Sequence, residues 1–439
     1  MIATGSAGSL DVIRPADPRY EQARHVYSAS GAPAAVVRVR DAGEVPDALQ
    51  FALQNGGPFS VRSGGHGISS IATNVGGTVI DLSRLNHVEV LGGGRVRVGP
   101  GARWGRVAHK LYPHGLAISS GDSGDVGVGG LATTGGLGLL GRAQGLTIDH
   151  LVAAEIVTAD GRRHRVSAEK EPDLFWAIRG AGANFGIATA FEFEAAPIPV
   201  VAHASLVFVP SDLAGFLEQW GQTVEQAPHK ISAFLYTMGR DFARATVVYA
   251  GEDEDAAAAL EPFATLPGMS GAQAQMAPYP NVLMTTSAPH TGQQRAHTRS
   301  GLAVHLDRET SRRIANAAET VDMLQIRSVG GVINGVPPDA TAYAHRHQNF
   351  SVVAVSTAPQ VALNAAWDPV HQRMDGMYLS FESEHTLASL AEAFPERTLA
   401  RLRALKSQWD PERVFTQNFD LSEHDAPQPR TANSHLPDK

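Results

Sequence analysis

Phe59-Ser60-Val61-Arg62-Ser63-Gly64-Gly65-His66-Gly67-Ile68-Ser69-Ser70 decides how the rest of the chain is read. A short apolar run, Pro58 to Val61, leads into an arginine, two consecutive glycines, a histidine and a further glycine. This pattern predicts a strand that ends in a hard bend. Glycine takes up the positive φ values that the bend demands, and its missing side chain lets a ligand approach the backbone. Successive N–H groups in such a bend converge into a concave nest for an anion. His66 would then be held beside whatever the nest binds. Gly-rich tetrapeptides mark surface turns more often than ligand sites, so the reading leans on the flanking sequence.

Composition removes several classes of function. A chain of 439 residues suits one large domain or two interleaved ones. With a formal net charge of -8 and scattered basic residues, it lacks an electrostatic grip on nucleic acid or anionic membrane, so neither is an expected partner. There is no cysteine, which excludes disulfides, thiolate nucleophiles and Cys-ligated metals. The histidines are dispersed without an H-E-x-x-H spacing, and no metal is expected. No run of about 18 apolar residues occurs, and Met1 to Pro15 lacks a basic segment followed by an apolar one. A cytoplasmic enzyme is the expectation.

Around the glycine bend the chain reads as a compact α/β opening. Met1 to Gly31 is polar and is expected to lie over the surface. Ala35 to Val39 is strand-like, and Ala42 to Gln54 carries Val45, Ala48, Leu49 and Ala52 at helical spacing. Val79 to Ser83 and Arg95 to Val98 read as strands separated by the hairpin-type Gly92-Gly93-Gly94. Gly101 to Tyr112 should be helical, with Trp104, Val107, Ala108 and Leu111 on one face. A second glycine-rich region runs from Gly121 to Gly138. Ordering that many glycines costs backbone entropy, which a ligand lying along the segment would offset.

Gly136, Gly138 and Gly141 fit G-x-G-x-x-G, with Asp160 about 20 residues on, but no apolar strand precedes Gly136 as a dinucleotide fingerprint requires. Asp160-Gly161 reads better as a type I′ turn joining Glu155–Thr158 to His164–Val166. Asp173 to Ile178 predicts a short helix ended by Gly180, followed by a strand from Ile187 to Phe193.

Several of these stretches together resemble the FAD-linked oxidases of the vanillyl-alcohol-oxidase (PCMH) type, in the berberine-bridge-enzyme-like branch. Arg62-Ser63-Gly64-Gly65-His66, followed by Val79-Ile80-Asp81-Leu82-Ser83, resembles that family's pyrophosphate loop. The resemblance implies FAD held by Arg62, Ser63, Gly64, Gly65, Gly67 and Ser69 and joined covalently through His66. The second glycine region resembles the other flavin-embracing loop, implying contacts from Ser123, Val126, Gly127, Gly129 and Gly130. Ser123-Gly124-Asp125 stands where Cys, Pro and Thr are common, and a serine cannot replace the cysteine of a second covalent bond, so the tether is expected to be single. Val126 stands where a gatekeeper residue lies over the flavin, and valine there leans towards oxidase. Leu174-Phe175-Trp176-Ala177-Ile178-Arg179-Gly180 with Asn184-Phe185-Gly186 matches a family signature, placing Gly186 and Ile187 by the adenosine. Trp409-Asp410-Pro411 and Asn418 match the C-terminal pattern that returns to the flavin domain.

Beyond Pro197 strands alternate with segregated helices: strands at 204–209, 231–236, 243–249, 325–333 and 350–356, helices at 256–263 and 309–324. The expected class is α+β, a PCMH-type FAD-binding domain plus an α+β substrate domain with a mainly antiparallel sheet. Expected boundaries are an extension at 1–32, the FAD-binding domain at 33–198, the substrate domain at 199–384, a return at 385–422 and a disordered tail at 423–439. Tyr378-Leu379-Ser380-Phe381-Glu382 resembles the family's returning strand, with Ser380 where Asn is usual, and Tyr378 is the first candidate for the base that takes the substrate's proton. Glu382, His345 and Tyr236 are reserve candidates. The expected function is an oxidase that takes hydride from a C–OH or C–N carbon of a small molecule or natural product, with O2 reduced to H2O2. A same-fold dehydrogenase with another acceptor and a flavin-binding non-redox cyclase are the alternatives.

Overall fold

The computed structural model describes residues 10–286, 290–292 and 296–421. In the first of its sheets, β1 (Asp11–Ile13), β2 (Ala35–Arg38), β3 (Phe59–Arg62) and β4 (Thr78–Asp81) lie in the order β1-β2-β4-β3. β2, β4 and β3 are parallel, and β1 runs antiparallel on the edge. β1 comes from the segment expected to lie over the surface; Ile13, opposite Val36, is fully buried and holds it in the sheet. The helix Val45–Asn55 buries Val45, Ala48, Leu49 and Ala52 against Val37, Phe59 and Ile80. β3 ends at Arg62, so the chain leaves a parallel sheet edge directly into the first glycine loop.

A second sheet, antiparallel throughout, contains β5 (Val88–Gly92), β6 (Arg95–Val98), β7 (Leu151–Val157), β8 (Arg163–Ser167) and β9 (Ile187–Glu194), ordered β5-β6-β9-β7-β8. The triple-glycine turn joins β5 to β6; the sequence reading missed β5, whose largely exposed residues carry no clean alternation. At the β7–β8 turn only Gly161 has positive φ, and Thr158 N–H bonds the Arg162 carbonyl at 3.0 Å. Three residues separate that pair, so the loop is not the expected type I′ turn, which needs a two-residue loop with both φ positive.

The third sheet takes β10 (Val200–Phe208), β11 (Ile231–Thr237), β12 (Ala243–Tyr249), β13 (Met269–Pro278), β14 (His297–Ala303), β15 (Met323–Ser328) and β16 (Phe350–Ser356) in the order β13-β10-β12-β11-β15-β16-β14, again antiparallel. The helices Leu213–Gln226, Arg308–Ala317 and Gln360–His371 contribute Phe216, Trp220, Ile314 and Trp367 to the core on one face. Strand side chains alternate: Ala233 and Leu235 enter that core, whereas Phe234 and Tyr236 face Leu139, Leu140 and Val248 on the other side. The class is α+β with mainly antiparallel sheets. The helix expected at 309–324 stops at Ala317, because Leu324 and Ile326 alternate into the core as part of β15. Helices 213–226 and 360–371 and strands β13 and β14 were not anticipated.

The helix Glu396–Trp409 returns to the second sheet's neighbourhood, where Arg401 reaches Asp173 at 2.6 Å and stacks on Trp176. Lys406 Nζ fastens the last turn of this helix to the segment beyond it, donating to Asn184 O and Phe415 O, both at 2.7 Å, and to Asp410 Oδ2 at 2.5 Å. The tail expected to be disordered lies outside the described residues. Among the described residues no helix is long and apolar enough to cross a membrane.

Candidate flavin site

The two glycine loops meet backbone to backbone. A β-carbon on Gly64 would lie 2.6 Å from Gly127 Cα, and one on Gly127 would lie 2.2 Å from Gly64 N. Ser63 pins the crossing: its hydroxyl donates to Pro100 O at 2.5 Å and accepts the Gly129 N–H at 3.1 Å. Gly65, buried, takes φ of 65° where the chain turns. Gly67 and Gly130 are exposed, with open space where a side chain would go. The cradle is closed at the crossing and open along these two edges.

Arg62 lies at the base of the cradle, where its Cδ would be 3.3 Å from a β-carbon on Gly65. It sits opposite Asp81 in the β3–β4 register and donates to its Oδ2 at 2.7 Å, both side chains being buried. Burial opposes the Asp81 charge, but Arg62 and the donors of Ser83 more than offset it and hold the carboxyl below its usual range. The sequence reading gave Arg62 a charge-compensating contact with the cofactor; here its charge is compensated by Asp81 and it anchors the base of the loop.

His66 is sandwiched by residues that the sequence did not flag. Its ring stacks on Tyr27 with centroids 4.3 Å apart and lies 5.6 Å from His290. His66 Nδ1 is buried and has no hydrogen-bond partner among the described residues. Burial lowers its pKa, against the opposing pull of Asp125, so the ring stays neutral. His290 is pushed down to about 4, by burial and then by the charge of Arg103. A neutral imidazole with a free ring nitrogen can attack an electrophilic carbon.

The second loop is tied to the third sheet's long connection. Gly124 N–H bonds Met284 O at 2.7 Å, and Asp125 Oδ2 accepts the N–H and hydroxyl of Thr286 at 2.7 and 2.9 Å. Asp125 thus turns its departure from the family's Thr into a clamp. Ser123 Oγ accepts the Asp125 N–H at 3.3 Å, and half-buried Val126 packs on the core below while its carbonyl holds Trp104 N–H. Ser69 is half-buried at the loop's end. At the far end a β-carbon on Gly186 would meet Val157 O at 2.5 Å, Ile187 is buried in the first core, and Asn418 Oδ1 is buried without a partner.

Tyr378 precedes a 3-10 turn, Leu379–Phe381, rather than sitting in the expected strand. Its hydroxyl accepts the Gly136 N–H at 3.0 Å and lies 3.3 Å from Thr134 Oγ1, to which Ser380 donates at 2.8 Å. Tyr343 and Phe381 enclose its ring edge-on. Of the reserve candidates, Glu382 is fully buried against Arg299 and Ser300 N–H, with burial raising its pKa to about 7. His345 is buried on the carbonyls of Glu392 and Ala393. Tyr236 donates to Asp122 in the second glycine loop. The described residues therefore offer what FAD asks for: an open glycine-lined edge, a neutral buried imidazole with a free nitrogen, and an unpartnered buried amide oxygen at the opposite end.

Comparison with known proteins agrees. Residues 33–167 match the family described as FAD binding domain. The chain is 29% identical to (R)-6-hydroxynicotine oxidase of Paenarthrobacter nicotinovorans over 96% of this chain and 98% of that one. It is 27% identical to a chitooligosaccharide oxidase of Gibberella zeae over 87% and 86%. Among solved structures, 6-hydroxy-D-nicotine oxidase of Arthrobacter nicotinovorans superposes with a TM-score of 0.85 at 25% identity, covering 97% of this chain and 100% of that one. Residues 33–167 thus carry an FAD-binding domain, and the chain as a whole is similar to FAD-linked oxidoreductases of the PCMH type. It is an FAD-dependent oxidoreductase.

Proposed function

We propose that this protein is an oxidase carrying FAD on a single covalent bond from His66, taking hydride from a C–OH or C–N carbon of a small molecule and passing the electrons to O2 to give H2O2. The observation that carries the tether is His66 Nδ1, buried, neutral and unpartnered beside the glycine crossing. Bound FAD supplies the hydride acceptor. Gly67 and Gly130, exposed along the open edge, would hold its phosphates, Ser63 keeps the two loops in register, and Tyr27 with His290 holds the imidazole plane. Gly186, Ile187 and Asn418 take the adenosine end. Residues 33–198 and 385–422 hold the cofactor, and residues 199–384 cover the substrate. Tyr378 is placed to orient the second loop through Gly136 N–H.

Acid denaturation tests the tether. The expected result is yellow, flavin-fluorescent polypeptide from the wild type and released flavin from His66→Ala. Release from both removes the covalent bond and leaves FAD; a colourless protein that FAD cannot reconstitute refutes the oxidase. Peroxide formed in step with substrate consumption separates oxidase from dehydrogenase.

A further inference from the structure

We propose that Tyr236, Asp122 and Arg327 form the substrate's proton-accepting site, and that this site selects an alcohol or hemiacetal carbon over an amine. The proposal rests on FAD occupying the glycine cradle. Phe234 and Tyr236 lie on the face of β11 turned away from the helices, and Arg327 on β15 is directly opposite Phe234 in the register. Asp122 comes from the second glycine loop to meet them. Tyr236 Oη donates to Asp122 Oδ2, and Arg327 Nη2 donates to the same oxygen at 3.2 Å. One carboxylate oxygen thus joins the substrate-side sheet to the flavin-side loop.

Arg327 has donors to spare. The residue is 4% exposed, its guanidinium stacks 4.4 Å over Phe381, and its Nε and Nη1 are buried with no partner among the described residues. Leaving such donors unpaired is costly, which fits a group that completes its bonding with a ligand. Asp122, with a side chain 16% exposed, keeps an edge towards solvent.

The charges determine the chemistry. Arg327 and Asp122 cancel, Arg244 on β12 and Tyr378 add weaker fields, and Asp122 in turn acts on His66. Burial and the Asp122 carboxylate hold the Tyr236 phenol well above its ordinary value, so a free tyrosinate is not the base. The phenol serves instead as a relay. The substrate hydroxyl gives its proton to Tyr236 Oη as Tyr236 gives its own to Asp122 Oδ2; the C–H bond breaks with both electrons leaving as hydride to the oxidised flavin, and C=O forms. Negative charge grows on the substrate oxygen during this step, and the free Arg327 donors stabilise it. An amine would develop an iminium cation beside the same guanidinium, which repels it. Tyr236 and Arg327 touch the reacting atoms and are the catalytic residues, while Asp122 positions Tyr236 and receives its proton.

The test uses the full-length protein, Tyr236→Phe, Asp122→Asn, Arg327→Met and the conservative Arg327→Lys, each checked for folding by thermal melting. Phenol and benzylamine serve as probes in calorimetric titration, which needs no turnover. A panel of paired secondary alcohols and amines is then scored by anaerobic flavin bleaching across pH. The proposal expects phenol to bind, with at least tenfold weaker binding in Tyr236→Phe and Arg327→Met and partial rescue in Arg327→Lys. It expects bleaching by alcohols over the matching amines, a roughly 100-fold loss in Tyr236→Phe, and loss of the acid limb of the pH profile in Asp122→Asn. Phenol binding that is absent or indifferent to these variants, or bleaching by amines in preference, overturns it. Variant-sensitive phenol binding with no bleaching by any substrate leaves the recognition site standing and refutes the oxidase instead.

Discussion

Gly127→Ala is the sharpest test of the cradle, because the objection to a side chain there is steric alone. Gly127 has φ -72° and ψ 144°, a conformation that alanine adopts freely, so fewer unfolded conformers would favour the variant by about 0.4–1 kcal/mol. Against that, the new β-carbon would lie 2.2 Å from Gly64 N and 2.4 Å from Ser63 Oγ, where a comfortable approach is about 3.5–4 Å. The loops must part by more than 1 Å, roughly the difference between those distances. Ser63 cannot then keep both Pro100 O and Gly129 N–H. The loss of one of these hydrogen bonds, at about 1 kcal/mol, and overpacking of about 1–3 kcal/mol outweigh the entropic gain, for a net loss of about 1–3.5 kcal/mol. Urea unfolding of the deflavinated protein reads that number, and the flavin-to-protein ratio after reconstitution reads the effect on the site. Gly130→Ala is the control: it meets open space and sits in a helical turn where alanine gains up to about 1 kcal/mol over glycine. It should leave the apoprotein as stable or more so while lowering flavin occupancy. Wild-type stability and occupancy in Gly127→Ala would refute the crossing, and full occupancy in Gly130→Ala would refute the placement of FAD along the open edge.

Lys406→Met should cost about 3–5 kcal/mol in denaturant unfolding, since it strands buried Asp410, and it should weaken FAD binding by freeing the segment that carries Asn418. Tyr378→Phe leaves the Gly136 N–H without its acceptor, so a loss of about 1–3 kcal/mol is expected; flavin bleaching should fall far less than in Tyr236→Phe, and a larger fall would return the base to Tyr378. Burial raises Glu382 to about 7 from 4.5, so the folded state holds its proton more tightly than the unfolded chain. Stability should therefore be full below about pH 4.5 and decline towards pH 7, with a slope of up to about 1.4 kcal/mol per unit. Glu382→Gln should remove that part of the slope in paired melts, and an unchanged pH profile would count against it.

What could be read in the sequence and what could not divide by the distance over which each feature is determined. The cradle is local: Gly64, Gly65, Gly127 and Gly129 answer demands of the backbone itself, and a backbone that must bend or be approached leaves its mark as glycine wherever it occurs. His66 was found because it lies inside such a segment. Arg62 shows where local reading stops, since its neighbours in sequence suggested an anion in the cradle, yet its partner Asp81 is set by the parallel register of β3 and β4. The middle strands were found where alternation was clean, as at Ala243–Tyr249, and lost where exposure blurred it, as in β13. Asp122 and Arg327 are 205 positions apart, and Tyr27 and His290 approach His66 from 39 positions before it and 224 after it; no local pattern announces such meetings. Places where backbone must approach backbone are thus legible residue by residue, whereas contacts made by side chains from a seven-stranded sheet exist only once strand order and register are known. Recognition of the substrate belongs to the second kind, which is why the sequence named the cofactor but left a C–OH and a C–N carbon both open.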